Sequence, residues 1–223
     1  LACLICLFSV SLFGADAYAA DSVVECVNLP LEAGHPSDDG YLVNRNGTCV
    51  IDSDINGKLD GNFHLRAGSS SDARWQLIEC LEKAGVFALN IGTSIDDRGR
   101  RALCECQRKM VREKISCDHA FGSTVTVDDC EKLKKRLAKG GIVSMGFFGT
   151  ISGMSFGHEV QVTDLLCDKK RNFVGVSFRD PNFPDVIQVG VIDPRNGRFT
   201  TRGPQSRYMN NWSSRGFYSA TPH

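Results

Sequence analysis

The chain of 223 residues contains 26 lysines and arginines against 26 aspartates and glutamates, so its formal net charge is zero. A neutral chain offers no electrostatic basis for binding nucleic acid or an anionic membrane surface, and we expect neither as a partner. The length suits one large domain or two small ones.

The first element in chain order is an apolar segment over residues 1–20. It is hydrophobic up to Phe13 and ends in Ala17-Tyr18-Ala19, which is the pattern of a signal-peptide core followed by a cleavage site. We therefore expect a fragment of a secretory signal peptide here and a mature chain, residues 21–223, that is secreted or periplasmic. No later apolar stretch approaches membrane length, so we expect no membrane association after signal removal.

Cysteines are the second compositional signal. Eight follow the apolar segment: Cys26, Cys49, Cys80, Cys104, Cys106, Cys117, Cys130 and Cys167. An even number of cysteines in an exported chain is typical of disulfide bonds. The sequence therefore predicts a disulfide-stabilised domain, although the spacing alone does not assign the pairs.

Helical periodicity begins after a turn-rich stretch. Residues 21–70 are expected to form an irregular N-terminal segment. Trp75, Ile78, Leu81 and Ala84 then recur at the spacing of one helix face. Two further helices are predicted, over residues 98–115 and from residue 126 onwards.

The second half of the chain changes to strand-like patterns. Four strands are predicted over residues 142–148, 158–166, 172–178 and 185–192, separated by short turns that favour an antiparallel meander. Because helices come first and strands follow, the predicted class is α+β, with N-terminal helices packed on a C-terminal antiparallel sheet in a single domain.

The strongest catalytic candidates lie at one edge of this predicted sheet. His158 begins the predicted strand 158–166, and Asp180 lies just past the end of the next predicted strand, 172–178. If these two strands form a hairpin, both side chains lie at the same edge of the sheet and close together. A carboxylate that accepts the imidazole Nδ1 proton leaves Nε2 free to take a proton from a nucleophile. His158 is thus a candidate general base and Asp180 its orienting carboxylate.

A family resemblance supports these two roles. A helix ending in a glycine pair, a strand, G-H-x-V-x-V-T at Gly157–Thr163 and a strand ending in Asp180-Pro181 resemble the C-terminal half of papain-like cysteine peptidases, nearest the double-glycine-leader (bacteriocin-processing) type. The resemblance covers residues 128–182. It implies a papain-like fold, and it implies that His158 is the base and Asp180 its orienter.

The nucleophile of that family is not matched, and three alternatives follow. Serines stand at the start of the first predicted helix, where Ser71 could replace the thiol and would depend strongly on a base. The loop cysteine Cys49 could instead fold back to His158. In the third alternative the scaffold is retained and the chemistry is lost.

A calcium loop is the second candidate site. Within DSDINGKLDGNF the sequence places Asp52, Asp54, Asn56 and Asp60 at EF-hand-like ligand positions, and Lys58 would offer its backbone carbonyl. Alternating oxygen ligands with a glycine at the sharp turn are what Ca²⁺ requires. The bidentate glutamate of such loops is replaced by Phe63, so a weak Ca²⁺ site is the expectation and no cofactor is required.

Together these features predict an exported papain-like hydrolase or peptidase that cleaves an amide or similar acyl bond in a peptide or protein substrate. The alternative is a catalytically inactive papain-like scaffold that acts as an exported binding or inhibitor-like domain for a peptide or protein ligand.

Overall fold

The structure is a computed structural model. Its helices do not all precede its strands, because β1 lies between α3 and α4. It describes residues 40–44, 48–86, 97–121, 127–168, 173–193, 196–203, 206 and 208–223. In chain order the elements are α1 (Cys49–Asp60), α2 (Ser70–Lys83), α3 (Asp97–Met110), β1 (Ile115–Phe121), α4 (Val127–Ala138), β2 (Ile142–Ile151), β3 (Met154–Cys167), β4 (Phe173–Asp180), β5 (Phe183–Ile192), β6 (Arg198–Thr201) and β7 (Trp212–Pro222). The predicted signal segment and Cys26 lie outside the described residues.

The strands form one antiparallel sheet that closes on itself. Their order is β1-β7-β2-β3-β4-β5-β6, and β6 also pairs with β7. The closing pairs are Arg198 with Ser213 and Phe199 with Trp212. Strand β1 pairs with the edge of β7 that also carries β6, from Gly216 to Pro222. The result is a closed six-stranded barrel with β1 as an additional strand.

The barrel interior is apolar because alternate residues of its strands point inward. One buried cluster combines residues from every barrel strand and from helix α4: Cys130, Leu133, Val143, Met145, Phe147, Val160, Val162, Leu165, Phe173, Val176, Phe178, Ile192, Phe199, Tyr208, Met209, Trp212 and Phe217. Helix α4 joins this cluster, and its Cys130 is disulfide-bonded to Cys167 at the end of β3. Helix α4 therefore lies at the barrel end where β3 finishes.

Helices α1 and α3 pack on the outside of the sheet, and α2 packs on these two helices. A second buried cluster joins Ile51 and Ile55 of α1 to Ile142 of β2 and Tyr218 of β7. Two more disulfides, Cys80–Cys106 and Cys104–Cys117, tie α2 to α3 and α3 to β1. The predicted stabilisation by disulfides is thereby confirmed among the described residues.

The predicted fold class is wrong. The three expected helices and four expected strands are present, but the strands are not a sheet with helices packed on one side in the papain-like manner. Strands β1, β6 and β7 add to the predicted four, and the sheet closes into a barrel. Strand β7 was missed because its sequence, WSSRGFYSATP, mixes polar and small residues with apolar ones.

The predicted irregular N-terminal segment also differs from the structure, because residues 49–60 form helix α1. This helix is buried on almost all sides, and its buried residues include Asp52, Ser53, Asp54 and Lys58. Its sequence therefore lacks the apolar stripe by which a surface helix is recognised.

Within the described residues, no helix is both long enough and apolar enough to cross a membrane.

Candidate functional site

His158 lies inside the barrel at the end away from α4. It is directly opposite Phe147 of β2, and opposed residues of antiparallel strands share one face of the sheet. Because Phe147 belongs to the interior cluster, His158 also points inward. Its side chain is fully buried. The same strand reaches the α4 end only nine residues later, at Cys167.

Asp180 is the last residue of β4 and meets His158 inside the barrel. The His158 Nε2 atom lies 2.8 Å from Oδ1 of Asp180, and both side chains are fully buried. The structure therefore brings together the two residues that the sequence singled out. The atoms differ from the prediction, since Nε2 and not Nδ1 faces the carboxylate.

Two further groups hold the Asp180 carboxylate. The backbone N–H of Asn182 donates to Oδ1 at 2.8 Å, and the Tyr208 hydroxyl donates to Oδ2 at 2.5 Å. Burial, followed by the neighbouring Asp180 charge, raises the pKa of Tyr208 well above its ordinary value. Tyr208 thus remains a phenol that donates to the carboxylate at any physiological pH.

An outer layer of amides fixes this arrangement. The Asn182 side chain donates to the Tyr208 hydroxyl at 3.2 Å and accepts a hydrogen bond from the Asn44 amide at 3.0 Å. The Asn44 backbone N–H also donates to the Pro181 carbonyl at 2.7 Å. The segment before α1 is therefore bound to the end of β4, next to the histidine–aspartate pair.

The second ring nitrogen of His158 has no hydrogen-bond partner among the described residues, although it is buried. When Nε2 carries the proton and donates it to Asp180, Nδ1 of a neutral imidazole is left with a lone pair. The Tyr208 ring meets the imidazole edge-on, with centroids 5.9 Å apart, and restricts its rotation. A buried acceptor without a partner costs about 1–3 kcal/mol, so this nitrogen is a place where a proton donor would be stabilised.

Helix α1 runs alongside β3 on the outside of the barrel. The Ser53 hydroxyl donates to the Glu159 carbonyl at 2.8 Å, and a Cβ added at Gly57 would lie 3.4 Å from Cγ of Gln161. Four helical residues advance about 6 Å, and two strand residues advance about 6.6 Å. Four residues of α1 therefore cover nearly the same length as two residues of β3. One turn before Ser53, Cys49 is therefore level with the residue that precedes His158.

Cys49 is the first residue of α1, is fully buried and is disulfide-bonded. Its partner lies outside the described residues. Thr48, the residue before it, makes no side-chain cap hydrogen bond to the helix. Partial positive charge at a helix N-terminus stabilises a thiolate.

Ser71 is placed differently. It is exposed in the first turn of α2, a helix that packs on α1 and α3. The helix cap is Ser69, whose hydroxyl accepts from the Asp72 N–H. None of the described hydrogen bonds around the histidine–aspartate pair involves Ser71, so the structure does not bring this predicted site residue to the pair.

The predicted calcium ligands lie on helix α1 instead of a loop, and their side chains point to different neighbours. Asp52 accepts from Thr48 at 2.6 Å and from Arg74 at 2.8 Å. Asn56 bonds both backbone groups of Leu42, at 2.6 and 2.8 Å.

The remaining predicted calcium ligands are also engaged. Asp54 forms a buried ion pair with Lys58 and accepts from Gln107. Burial raises the pKa of Asp54 and lowers that of Lys58. Asp60 accepts from Gln161 at 2.8 Å and Arg179 at 2.9 Å. In the described part of the chain, no group of three or more His, Cys, Asp or Glu side chains is arranged to hold a metal ion.

A buried ion pair adjoins the site on the outer face of β3. Arg100 of α3 donates to both carboxylate oxygens of Glu159, at 3.1 and 2.8 Å, and Ser144 of β2 donates to the same carboxylate. Glu159 follows His158 but points to the helices. This pair fixes α3 against the strand that carries the histidine.

Sequence reasoning missed Tyr208 and the two asparagines. Asn182 stands two residues after Asp180, and that nearness was a usable signal. Tyr208 follows β6 by seven residues and reaches the site only because the barrel closes. No protein-family model matches this chain, and no curated protein matches it in sequence.

Proposed function

We propose that the chain is an exported hydrolase that cleaves an amide or similar acyl bond, with His158 as general base and Asp180 as its orienting carboxylate. One observation carries the proposal. The fully buried imidazole is bound through Nε2 to a carboxylate that has two more donors, while its Nδ1 has no partner among the described residues. The G-H-x-V-x-V-T resemblance assigns these residues the same roles.

The chemistry follows from this arrangement. Nδ1 takes a proton from the attacking nucleophile, and the resulting imidazolium is stabilised by Asp180 through Nε2. The same proton then passes to the leaving nitrogen or oxygen of the scissile bond. Tyr208 and Asn182 keep Asp180 directed at the ring throughout these steps.

Cys49 is the nucleophile that the placement of α1 favours over Ser71. It begins the helix that lies along β3, level with the residue before His158, whereas Ser71 is exposed on α2. A thiolate at a helix N-terminus beside an imidazole is an activated nucleophile. The attack requires the reduced form of Cys49, because a sulfur in a disulfide has no thiolate to offer.

A second candidate function follows from the disulfide bond of Cys49. Cys49 is disulfide-bonded, as are the other described cysteines. A chain that stays fully oxidised would be an inactive scaffold, acting as an exported binding or inhibitor-like domain for a peptide or protein.

Export is proposed on two grounds. Disulfides form and persist in oxidising compartments outside the cytosol, and residues 1–20 have the pattern of a signal peptide. The proposed compartment is extracellular or periplasmic, and a peptide or protein is the proposed substrate.

The experiment compares three proteins after mild reduction: wild type, His158→Ala and His64→Ala, with fluorescein-labelled casein as substrate. His64 is an exposed histidine paired with Glu113 and serves as the matched control. General-base catalysis contributes about a hundredfold to ten-thousandfold in rate, so we expect a loss of that size for His158→Ala and none for His64→Ala. Equal hydrolysis by all three proteins would refute the assignment, and absence of hydrolysis by the reduced wild type would favour the binding domain.

A further inference from the structure

We propose that Asn56 of helix α1 is a positioning residue for the histidine–aspartate pair, although none of the described hydrogen bonds joins it to either member. The inference rests on the proposed function and adds a residue that determines how the pair is held. Asn56 acts through residues 42–44, which we call the strap. Hydrogen bonds run without a break from Asn56 through the strap to Asp180.

Asn56 holds the strap at Leu42 by both backbone groups. Its Oδ1 accepts from the Leu42 N–H at 2.6 Å, and its Nδ2 donates to the Leu42 carbonyl at 2.8 Å. Both residues are buried, and buried backbone groups need hydrogen-bond partners. In the described part of the chain the strap pairs with no strand. A single carboxamide therefore replaces the neighbouring strand that would otherwise hold Leu42.

A second side chain of α1 reaches the strap through Arg74. Asp52 lies one turn before Asn56, on the same side of the helix. It accepts from Arg74 Nε at 2.8 Å, and Arg74 Nη2 donates to the Val43 carbonyl at 2.6 Å. The Asp52 and Asn56 oxygens that the sequence suggested as calcium ligands are therefore used to hold two successive residues of the strap.

The strap brings Asn44 to the pair. The Asn44 N–H donates to the Pro181 carbonyl at 2.7 Å, and its Nδ2 donates to Oδ1 of Asn182 at 3.0 Å. Asn182 in turn donates to Oδ1 of Asp180 through its backbone and to the Tyr208 hydroxyl through its side chain. Tyr208 donates to Oδ2 of Asp180. Both oxygens of the carboxylate are thus held, directly or through Tyr208, by a residue that the strap fixes.

The position of this carboxylate matters because the turn that holds it is short. Residues 181 and 182 connect β4 to β5, and the strap fixes this turn from outside the sheet. If the strap loosens at Leu42, the turn can move and Asp180 moves with it. A displacement of about 1 Å can cost about a hundredfold in rate, so a residue remote from the reaction can control it.

The first test needs no substrate. In ¹⁵N-labelled protein, NMR measures solvent exchange of the His158 Nε2 proton and of the slowest backbone amides of β2, which report global unfolding. We expect Asn56→Ala to speed exchange of the imidazole proton at least about tenfold relative to those amides, because two hydrogen bonds that hold the strap are lost. An exchange ratio equal to that of the wild type would overturn the positioning role.

Arg66→Ala is the matched control. Arg66 donates to the Val111 carbonyl at 2.9 Å, so its removal also deletes a hydrogen bond from a side chain to the backbone, but no described hydrogen bond joins it to the strap. The exchange ratio should stay at the wild-type value. Should Asn56→Ala fail to fold, Asn56→Asp takes its place, since it keeps the acceptor for the Leu42 N–H and loses the donor.

A double-mutant cycle tests the path through the strap. Asn44→Ala removes the hydrogen bond to Asn182, and we expect it to speed the same exchange. Because residues of one hydrogen-bond network are coupled, Asn56→Ala combined with Asn44→Ala should speed exchange by less than the product of the two single effects. Effects that multiply would overturn this path.

Hydrolysis of fluorescein-labelled casein after mild reduction separates this inference from the proposed function. We expect Asn56→Ala to lower kcat about a hundredfold through misplacement of the pair and to leave KM unchanged. An unchanged kcat in an active protein would overturn the positioning role and leave the hydrolase standing. Faster exchange in Asn56→Ala, with no hydrolysis by the wild type, would support the positioning of the pair and refute the hydrolase.

Discussion

Asp180 decides how the candidate base is held. Its Oδ1 accepts from His158 and from the Asn182 backbone, and its Oδ2 accepts from Tyr208. Hydrogen bonds to a charged group are stronger than neutral ones, and a carboxylate with donors on both oxygens has little freedom to rotate. The orientation of the imidazole therefore depends on residues that never touch a substrate.

Tyr208→Phe tests this positioning role. The substitution removes the donor to Oδ2 and leaves a buried carboxylate oxygen without it, which costs about 1–3 kcal/mol in the free energy of unfolding. More negative charge then remains to stabilise the imidazolium, so we expect the acid limb of the pH–rate profile to move to higher pH. Tyr41→Phe is the control, since Tyr41 donates to Asp60 near the surface. If the acid limb stays at the same pH, Tyr208 packs in the site but does not position the histidine–aspartate pair.

Tyr218 gives a prediction for the pH dependence of stability. Burial and the Asp54 charge raise its pKa well above the ordinary value. Above pH of about 10 the unfolded chain loses the phenolic proton while the native chain keeps it, so the free energy of unfolding falls as pH rises. We expect Tyr218→Phe to lessen this fall by about 1.4 kcal/mol per pH unit above pH of about 10.5, measured by urea unfolding. An unchanged slope would mean that the phenol ionises in the native state.

At the scale of elements, buried polar contacts determine how the helices sit on the barrel. Helix α1 contributes Asp54 and Lys58, and α3 contributes Arg100 and Gln107. Single removal of one partner from a buried pair leaves an uncompensated charge, whereas removal of both leaves none. These contacts specify a docking position more than they add stability.

Arg100→Met is expected to lower the free energy of unfolding by about 3–5 kcal/mol, because Glu159 is left buried without its cation. Arg100→Met combined with Glu159→Leu should recover much of that loss. Lys83→Ala, in the exposed pair with Glu79, is the control and should cost less than about 1 kcal/mol. Urea unfolding of the four proteins measures these losses, and a double variant no more stable than Arg100→Met would contradict the uncompensated-charge explanation.

At the scale of the whole molecule, barrel closure brings the β6–β7 connection to the histidine. Closure requires close approach of neighbouring strands at glycines. A Cβ at Gly190 of β5 would lie 1.9 Å from the ring of Phe199, which is fully buried. The turn that carries Tyr208 follows β6, so the completeness of the site depends on this packing.

Gly190→Ala should therefore destabilise the protein by about 1–3 kcal/mol through overpacking and should reduce hydrolysis as the Tyr208 turn shifts. Gly146→Ala is the matched control in β2, because nothing lies within 4 Å of a Cβ at that position. Thermal unfolding and casein hydrolysis measure the two effects. If both variants behave like the wild type, closure at Gly190 is less tightly packed than the structure shows.

The sequence by itself determined the elements with clear periodicity and the histidine–aspartate pair. The strands β2 to β5 alternate, and short turns connect them, so local pattern fixes that Asp180 returns to His158. The tertiary structure decided the rest. Helix α1 is buried on almost all sides and shows no apolar stripe. The β6–β7 pairing that closes the barrel joins residues whose pairing no local sequence pattern indicates. For that reason the place of Cys49 beside β3, and the hydrogen bond of Tyr208, follow only from long-range packing.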